Sequence, residues 1–416
     1  MEWSRFGARF TRPTGARELM EDLGAALAGE PPVAMLGGGN PAQIPAMVDF
    51  FHQCFTTVLA DEREFRRMVG DYADPAGELT FRRAVAGLLQ RECGFPVDAD
   101  HVALTAGSQH GFFLLFNLLA GRHARGERKI LLPLAPEYVG YADVGIDGDL
   151  FVARRPLVEH LADQLFKYHV DFAALADPGP LAAICVSRPT NPSGNVLTDD
   201  EIARLRALAR HHGVPLIIDG AYGLPFPGIV SVPATLSWDE DTILLLSLSK
   251  LGLPGVRTGI VVARPEIIRA LGAVTAVTSL AVGSVGPVLM RAAADSGALT
   301  RLARDVIGPW YRQRAELALG WLREALAGCD FHVHTPEGAF FLWLWLPQLA
   351  IPASLLYQRL KARGVLVLAG HHFFPGLGDD PWPHREQCLR ISYASDPASV
   401  QRGLAILGEE VRRAHG

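Results

Sequence analysis

The sequence predicts an α/β protein with a mostly parallel central sheet and a second, smaller α+β unit, and three observations carry this. From about residue 80 to 265, helical and strand patterns alternate, as they do where helices cover a layered sheet. The strand-like runs in that stretch are apolar throughout rather than alternating, which suits strands covered on both faces. After about residue 300 the pattern changes to long charged helices followed by aromatic-rich strands.

Taken in order, LTFRRAVAGLLQREC reads as an amphipathic helix with Phe81, Val85, Leu88 and Leu89 near one face. HVALTAGSQHGFFLLFNLLAG reads as a short strand, a Gly-Ser turn and a strongly apolar helix, and KILLPLAPEYVGY as a buried strand ending at Pro136. LAAICVSRPTNPSGN, PLIIDGAYG and TILLLSLSK are runs of branched aliphatics that each stop at a polar cluster, and GIVVARP is a further short strand. Residues 270–290 carry no charge, but Gly283, Gly286, Pro287 and several hydroxyls make a buried helix followed by a loop the expectation, not a membrane span. LARDVIGPWYRQRAELALGWLREALAG is helical, and FHVHTPEGAFFLWLWL and CLRISYA are strands. The expected division is an arm and part of the small domain over 1–48, a large domain over 49–300, and the small domain over 301–416. The stretch through LGGGNPAQIP is expected to pack on the small domain.

Composition narrows the function. With 416 residues, 49% hydrophobic, 20% charged and a net charge of −5, the chain reads as soluble and shows no basic footprint for nucleic acid or anionic membrane. Cys54, Cys93, Cys185, Cys329 and Cys388 are scattered with no CxxC pair, the pattern of reduced thiols in a cytoplasmic protein. The N-terminus has alternating charges and no apolar core of a signal peptide.

The polar clusters sit just after strands, where open α/β sheets bind ligands. Lys250 ends an apolar strand in SLSKLGLPGVRTG; a desolvated amine there can form an imine with a carbonyl cofactor and act as base. Ser247 and Ser249 precede it and Arg257 follows, offering donors and a permanent cation for a phosphate. In LTAGSQHGFF, Gly107 lets the chain approach an anion closely at a helix N-terminus, with Ser108 and Gln109 as added donors. Asp219 and Tyr222 end another strand, and a carboxylate there suits the nitrogen of a pyridinium ring. Asn191 lies in an NPSG turn. Each cluster alone has an ordinary reading: a solvated strand-end lysine, a serine N-cap, an aspartate capping a turn, a β-turn.

In order, PTNPSGN, DGAY, SLSK with its downstream arginine, and CLRIS resemble the fold-type I, class I/II pyridoxal-phosphate-dependent aminotransferases, over essentially the whole chain. MLGGGNPAQIP, PLAPEYVGYAD, FKYHVDF, SRPTNPSGN, PFPGI, SLSKLGLPG, EGAFFLWLW and FFPGL resemble the valine–pyruvate aminotransferase family more closely. The resemblance implies pyridoxal 5'-phosphate as cofactor and Lys250 as imine-forming lysine and proton shuttle. It implies Asp219 at the pyridine nitrogen, Tyr222 and Asn191 at the ring hydroxyl oxygen, and Tyr138 stacked on the ring. Gly107, Ser108, Gln109, Ser247 and Arg257 would hold the phosphate, Arg390 the substrate α-carboxylate, and Gly39 the substrate mouth. Tyr72, in DYADPAG, resembles a tyrosine that reaches the phosphate of the neighbouring subunit, which implies a homodimer. The implied substrates are small amino acids and 2-oxo acids, with L-valine and pyruvate giving 2-oxoisovalerate and L-alanine.

A β-eliminating lyase on the same fold retains most of these residues. A non-catalytic cofactor-sensing regulator would need a DNA-binding module, for which the chain shows neither room nor a basic patch. His371 and His372 read as polar loop filling near the mouth, and Arg188 as a neighbour of the cofactor loop. His332 and His334 lack a third ligand, so no metal is expected. LGGGN is not GxGxxG, so no dinucleotide site is expected.

Overall fold

The computed structural model describes residues 2–12, 14, 15, 17, 20, 21, 24 and 33–414. The short strand β1 (Ala34–Met35) runs parallel to β14 (Val365–Leu366). An 8-stranded sheet contains β2 (Val102–Thr105), β3 (Gly121–His123), β4 (Gly126–Leu132), β5 (Phe151–Ala153), β8 (Leu181–Ser187), β9 (Leu216–Asp219), β10 (Thr242–Ser247) and β11 (Gly259–Val262). Its order is β2-β11-β10-β9-β8-β4, with β3 and β5 both pairing with β4. The pairs β10–β9, β9–β8, β8–β4 and β4–β5 are parallel, and β11 runs antiparallel to β10 and β2.

Every residue of β8, β9 and β10 is buried, the outcome the uninterrupted apolar runs foretell. Helix Asp199–His212 packs on β8 and β9, and helix Ser108–Leu119 on β2, β10 and β11. A capping box starts the first of these. The Glu201 backbone N–H donates to Thr198 Oγ1 at 3.1 Å, and the Thr198 N–H donates back to the Glu201 carboxylate at 2.8 Å. This anchors the far end of the NPSGN loop.

A 6-stranded sheet has the order β15-β16-β13-β12-β7-β6, made of β6 (Leu157–His160), β7 (Leu165–His169), β12 (His332–His334), β13 (Phe341–Trp345), β15 (Leu368–Ala369) and β16 (Cys388–Ser392). Two of its strands come from mid-chain, where β7 buries Phe166 and Tyr168 and leaves Leu165, Lys167 and His169 half-buried. That two-residue period marks a strand with one covered face. Residues near the N-terminus also join this unit: beyond β1, the Ser392 N–H donates to the Leu36 carbonyl at 2.6 Å.

Three elements depart from the sequence reading. Strand β4 stops at Leu132 rather than running to Pro136, because Pro133 has no N–H to continue the ladder. Residues 270–290 form not one helix and a loop but the end of helix Pro265–Thr278, a short connection, and the start of helix Val285–Asp295. Pro287 lies in the first turn of the latter, where a missing N–H costs nothing. The long charged helix is interrupted by a π-helical turn, Ala303–Ile307, before Gly308–Ala325; Pro309 follows that turn and cannot donate to Asp305. None of the helices among the described residues is long and apolar enough to cross a membrane.

Candidate active site

Backbone register sets the floor of the site. Ser187, Asp219 and Leu245 lie side by side as partners on β8, β9 and β10, so the segments that leave those strands start from one edge. Asn191 follows β8, Asp219 ends β9, Lys250 follows β10, and Tyr138 follows the neighbouring β4.

Asp219 is buried. Its Oδ1 accepts the Ala221 backbone N–H at 2.9 Å and its Oδ2 accepts the Tyr141 hydroxyl at 2.9 Å. Burial pushes its carboxyl up to about 6, against the pull of those two donors and of Lys250. The half-buried Lys250 ammonium donates from Nζ to the Gly39 carbonyl at 2.7 Å and lies 5.5 Å from the centre of the Tyr222 ring. Burial, with Arg390 and Arg257 nearby, pushes the amine down to about 8, while Asp219 opposes the shift. A neutral amine is thereby within reach of physiological pH.

Arg390, on β16, is 1% exposed. Its Nη1 donates to Asn191 Oδ1 at 2.7 Å and its Nη2 to the Gly37 carbonyl at 2.6 Å. The guanidinium lies 4.1 Å over the Phe341 ring. Its Nε is buried with no hydrogen-bond partner among the described residues, and none of the ion pairs among them includes it. A buried cation with a vacant donor calls for an anion.

At the other end, Gly107 (φ 89°) caps helix Ser108–Leu119. A Cβ there would come within 2.9 Å of Arg257 Cζ, so glycine is what lets the guanidinium lie against this backbone. Gln109 donates to the Gly140 carbonyl at 2.8 Å, and its Oε1 is buried without a partner among the described residues. Ser108, Gln109 and Arg257 thus share one corner at a helix N-terminus. Ser247 is fully buried, and its hydroxyl accepts the Ser249 N–H at 3.0 Å, so it is engaged in shaping the turn that carries Lys250. Tyr138 is half-buried with its ring 5.4 Å from that of Tyr141. Tyr222 packs edge-on against Phe340 and Phe341.

Tyr72 is not gathered here by its own chain; it is 85% exposed. Arg188 braces the NPSGN loop from behind, donating to the Leu197 and Thr235 carbonyls and pairing with Asp199. The rings of His371 and His372 lie 3.9 Å apart, tilted by 39°, and Gly15 packs on the latter. His334 is buried and accepts the Tyr168 N–H at 3.2 Å. Three residues at the site escaped the sequence reading: Glu137, Tyr141 and Ser187. The signal was present in PEYVGY, which places a glutamate and a second tyrosine inside an otherwise apolar run.

The model of the family described as aminotransferase class I and II matches residues 48–407. The chain belongs to this family. This aminotransferase is 48% identical over 415 residues to the valine–pyruvate aminotransferase of Escherichia coli K12, covering 100% of this chain and 99% of that protein. The crystal structure of a putative amino-acid aminotransferase from Psychrobacter arcticum superposes with a TM-score of 0.97 at 42% identity, covering 100% of this chain and 99% of that one. That of the valine–pyruvate aminotransferase from Salmonella typhimurium LT2 does so with 0.88 at 47% identity, covering 96% and 99%. The family implies pyridoxal phosphate, and the residues present fit it. A glycine-lined helix N-terminus beside an arginine suits a phosphate, and a buried carboxylate with no cation bonded to it among the described residues suits a ring nitrogen.

Proposed function

We propose that this aminotransferase exchanges amino groups between L-valine and pyruvate, forming 2-oxoisovalerate and L-alanine. The observation that carries the reading is Arg390: one buried guanidinium with a vacant Nε, walled by Phe341 and Phe373. One cation matches one carboxylate, and aromatic walls match a small apolar side chain. Full-length similarity to the Escherichia coli enzyme supports the same substrates.

When bound, pyridoxal phosphate supplies a carbonyl for an amine and a cationic ring that withdraws electrons. Gly107, Ser108, Gln109 and Arg257 would hold its phosphate, with Ser247 supporting the Lys250 turn. Tyr138 would cover the ring face, and Asp219 would keep the ring nitrogen protonated. The Asn191 side-chain N–H and the Tyr222 hydroxyl would face the ring oxygen, while Asn191 Oδ1 keeps Arg390 in place. Arg390 binds and orients the substrate carboxylate. Lys250, once its ammonium leaves the Gly39 carbonyl and loses a proton, takes the proton from the substrate α-carbon and returns one on the other side of the exchange. Gly39 lines the mouth with backbone alone.

We also propose a homodimer in the cytoplasm in which Tyr72 serves the partner's site. Tyr72, Val69, Val277 and Leu280 are exposed at 85%, 60%, 87% and 62%, apolar groups that a second copy would cover. All five cysteines are free, in keeping with a reducing compartment.

The deciding experiment pairs L-valine, L-alanine, L-aspartate and aromatic amino acids with pyruvate and 2-oxoisovalerate, following product and free ammonia. The highest kcat/KM is expected for valine with pyruvate. Faster turnover of a dicarboxylic donor would overturn the substrate assignment, and ammonia release without an acceptor would overturn transamination.

A further inference from the structure

Behind Asp219 lies a second carboxylate that the mechanism above does not use. Glu137 is 0% exposed, and among the described residues no lysine, arginine or histidine pairs with it. Its Oε1 accepts the Ser187 N–H at 2.9 Å, and its Oε2 accepts the Tyr138 N–H at 3.1 Å and lies 2.6 Å from Ser187 Oγ. Ser187 Oγ lies 3.4 Å from the Tyr141 hydroxyl, which in turn is 2.9 Å from Asp219 Oδ2. The polar atoms therefore form one file: Glu137, Ser187, Tyr141, Asp219. Cys185, also buried, Tyr138 and Lys250 are further titratable groups beside it.

Each hydroxyl in the file has a single hydrogen to donate. With both carboxylates ionised, Ser187 must donate to Glu137 and Tyr141 to Asp219. No hydrogen then remains between the two hydroxyl oxygens, and Glu137 is a buried anion with no cation paired to it among the described residues. With a proton on Glu137, all donors point one way. Glu137 donates to Ser187, Ser187 to Tyr141, and Tyr141 to Asp219. Every oxygen is satisfied, and Asp219 is left as the sole anion. Two buried carboxylates this closely linked do not both ionise readily.

We propose that Glu137 is a positioning residue that carries a proton at neutral pH and, through Ser187 and Tyr141, keeps Asp219 the ionised member of the pair. Burial pushes both carboxyls up, and at Glu137 the Asp219 charge adds to the rise against the Ser187 and Tyr138 donors, whereas at Asp219 the nearby Lys250 opposes it. A cation at Asp219 pins the proton on Glu137 more firmly. That this cation is the cofactor's ring nitrogen rests on the cofactor reading above; where the proton sits does not.

The test is infrared spectroscopy of the full-length protein near neutral pH, cofactor-free and loaded. The carbonyl stretch of a buried, protonated carboxylic acid should appear in the wild type, vanish in Glu137→Gln and persist in Asp219→Asn. Carbon-13 glutamate should shift it in the unaltered sequence and carbon-13 aspartate should not, a measurement that needs no variant to fold. In the loaded enzyme, Glu137→Gln, whose amide can donate to the Ser187 hydroxyl but leaves one of the two backbone N–H groups at Glu137 without an acceptor, should lower kcat less than Glu137→Leu does. Glu137→Leu leaves Ser187 without that partner and should lower kcat about tenfold at unchanged KM. The proposal is overturned if the band is absent, if it follows aspartate labelling, or if glutamine impairs kcat as much as leucine does. Because the band is read without cofactor, failure of the proton assignment is distinguishable from failure of the cofactor reading.

Discussion

The floor of the site and its roof are held in different ways. Asp219, Asn191, Lys250 and Tyr138 leave adjacent parallel strands whose hydrogen-bonded register sets their spacing. Arg390 belongs to the second sheet, and its two anchors lie 199 and 353 positions away in the chain, at Asn191 and Gly37. Lys250 reaches the same glycine-rich segment through the Gly39 carbonyl. The floor is thus preorganised by one sheet, whereas the roof arginine, on a strand of the other sheet, is joined to the floor and to the glycine-rich segment by single side-chain hydrogen bonds. Groups that must be rigid for proton transfer sit on the first kind of scaffold. The group that must receive and release substrate sits on the second.

The largest effect expected from the floor is at Lys250. Lys250→Ala should abolish steady-state turnover, because among the described residues no other amine stands near Asp219 and the Tyr222 ring; wild-type kcat in this variant would break the assignment. Asp219→Ala and Arg390→Ala then separate floor from roof. Removing the Asp219 anion should lower kcat by about 10²–10³-fold with KM little changed, the usual scale for a preorganised electrostatic group. Removing Arg390 should act mainly through KM, costing about 2–5 kcal/mol for a carboxylate left without its partner. Equal effects of both variants on the same constant would erase the distinction.

Next in size is the exchange of Tyr72 between subunits. Mixing Lys250→Ala chains with Tyr72→Ala chains should make about half the dimers mixed and restore about a quarter of all sites. Subunit exchange is verified beforehand by mass spectrometry of tagged chains. With exchange proven and Tyr72→Ala impaired alone, no recovery would overturn the shared-site arrangement.

The amine of Lys250 gives a pH test. Only its neutral form attacks a carbonyl, and burial pushes its pKa down, so reaction of the cofactor-free protein with a small aldehyde should rise with pH and level off above about 8. A midpoint at the ordinary lysine value would mean that the floor is wetter than the structure indicates. The smallest change is at the mouth. A Cβ on Gly39 would stand 4.0 Å from Lys250 Nζ, an ordinary contact, so Gly39→Ala should cost about 1 kcal/mol or less in kcat/KM. A loss as large as that of Arg390→Ala would show that the glycine loop moves during turnover.

By itself the sequence determined the strands, because runs such as LAAICVS and TILLLS bury every residue and need no distant partner to be recognised. It also determined that Lys250, Asp219 and Asn191 follow strands, since a polar cluster after an apolar run is local information. Recurrence of those clusters in one order carried the family. Only the tertiary structure decided what touches what. Arg390 meets Asn191 and Gly37 through side-chain hydrogen bonds to distant parts of the chain, and the Leu157–His169 hairpin joins a sheet whose other strands lie at 332–392. Nor does composition say whether a buried glutamate is paired; Glu137 is tied to Asp219 only through Ser187 and Tyr141, which the fold places between them. The physical reason is range. Burial and backbone propensity act over a few residues and leave a pattern in the string, whereas hydrogen bonds between side chains and the pKa values they set depend on distances of about 3 Å that only the folded chain defines.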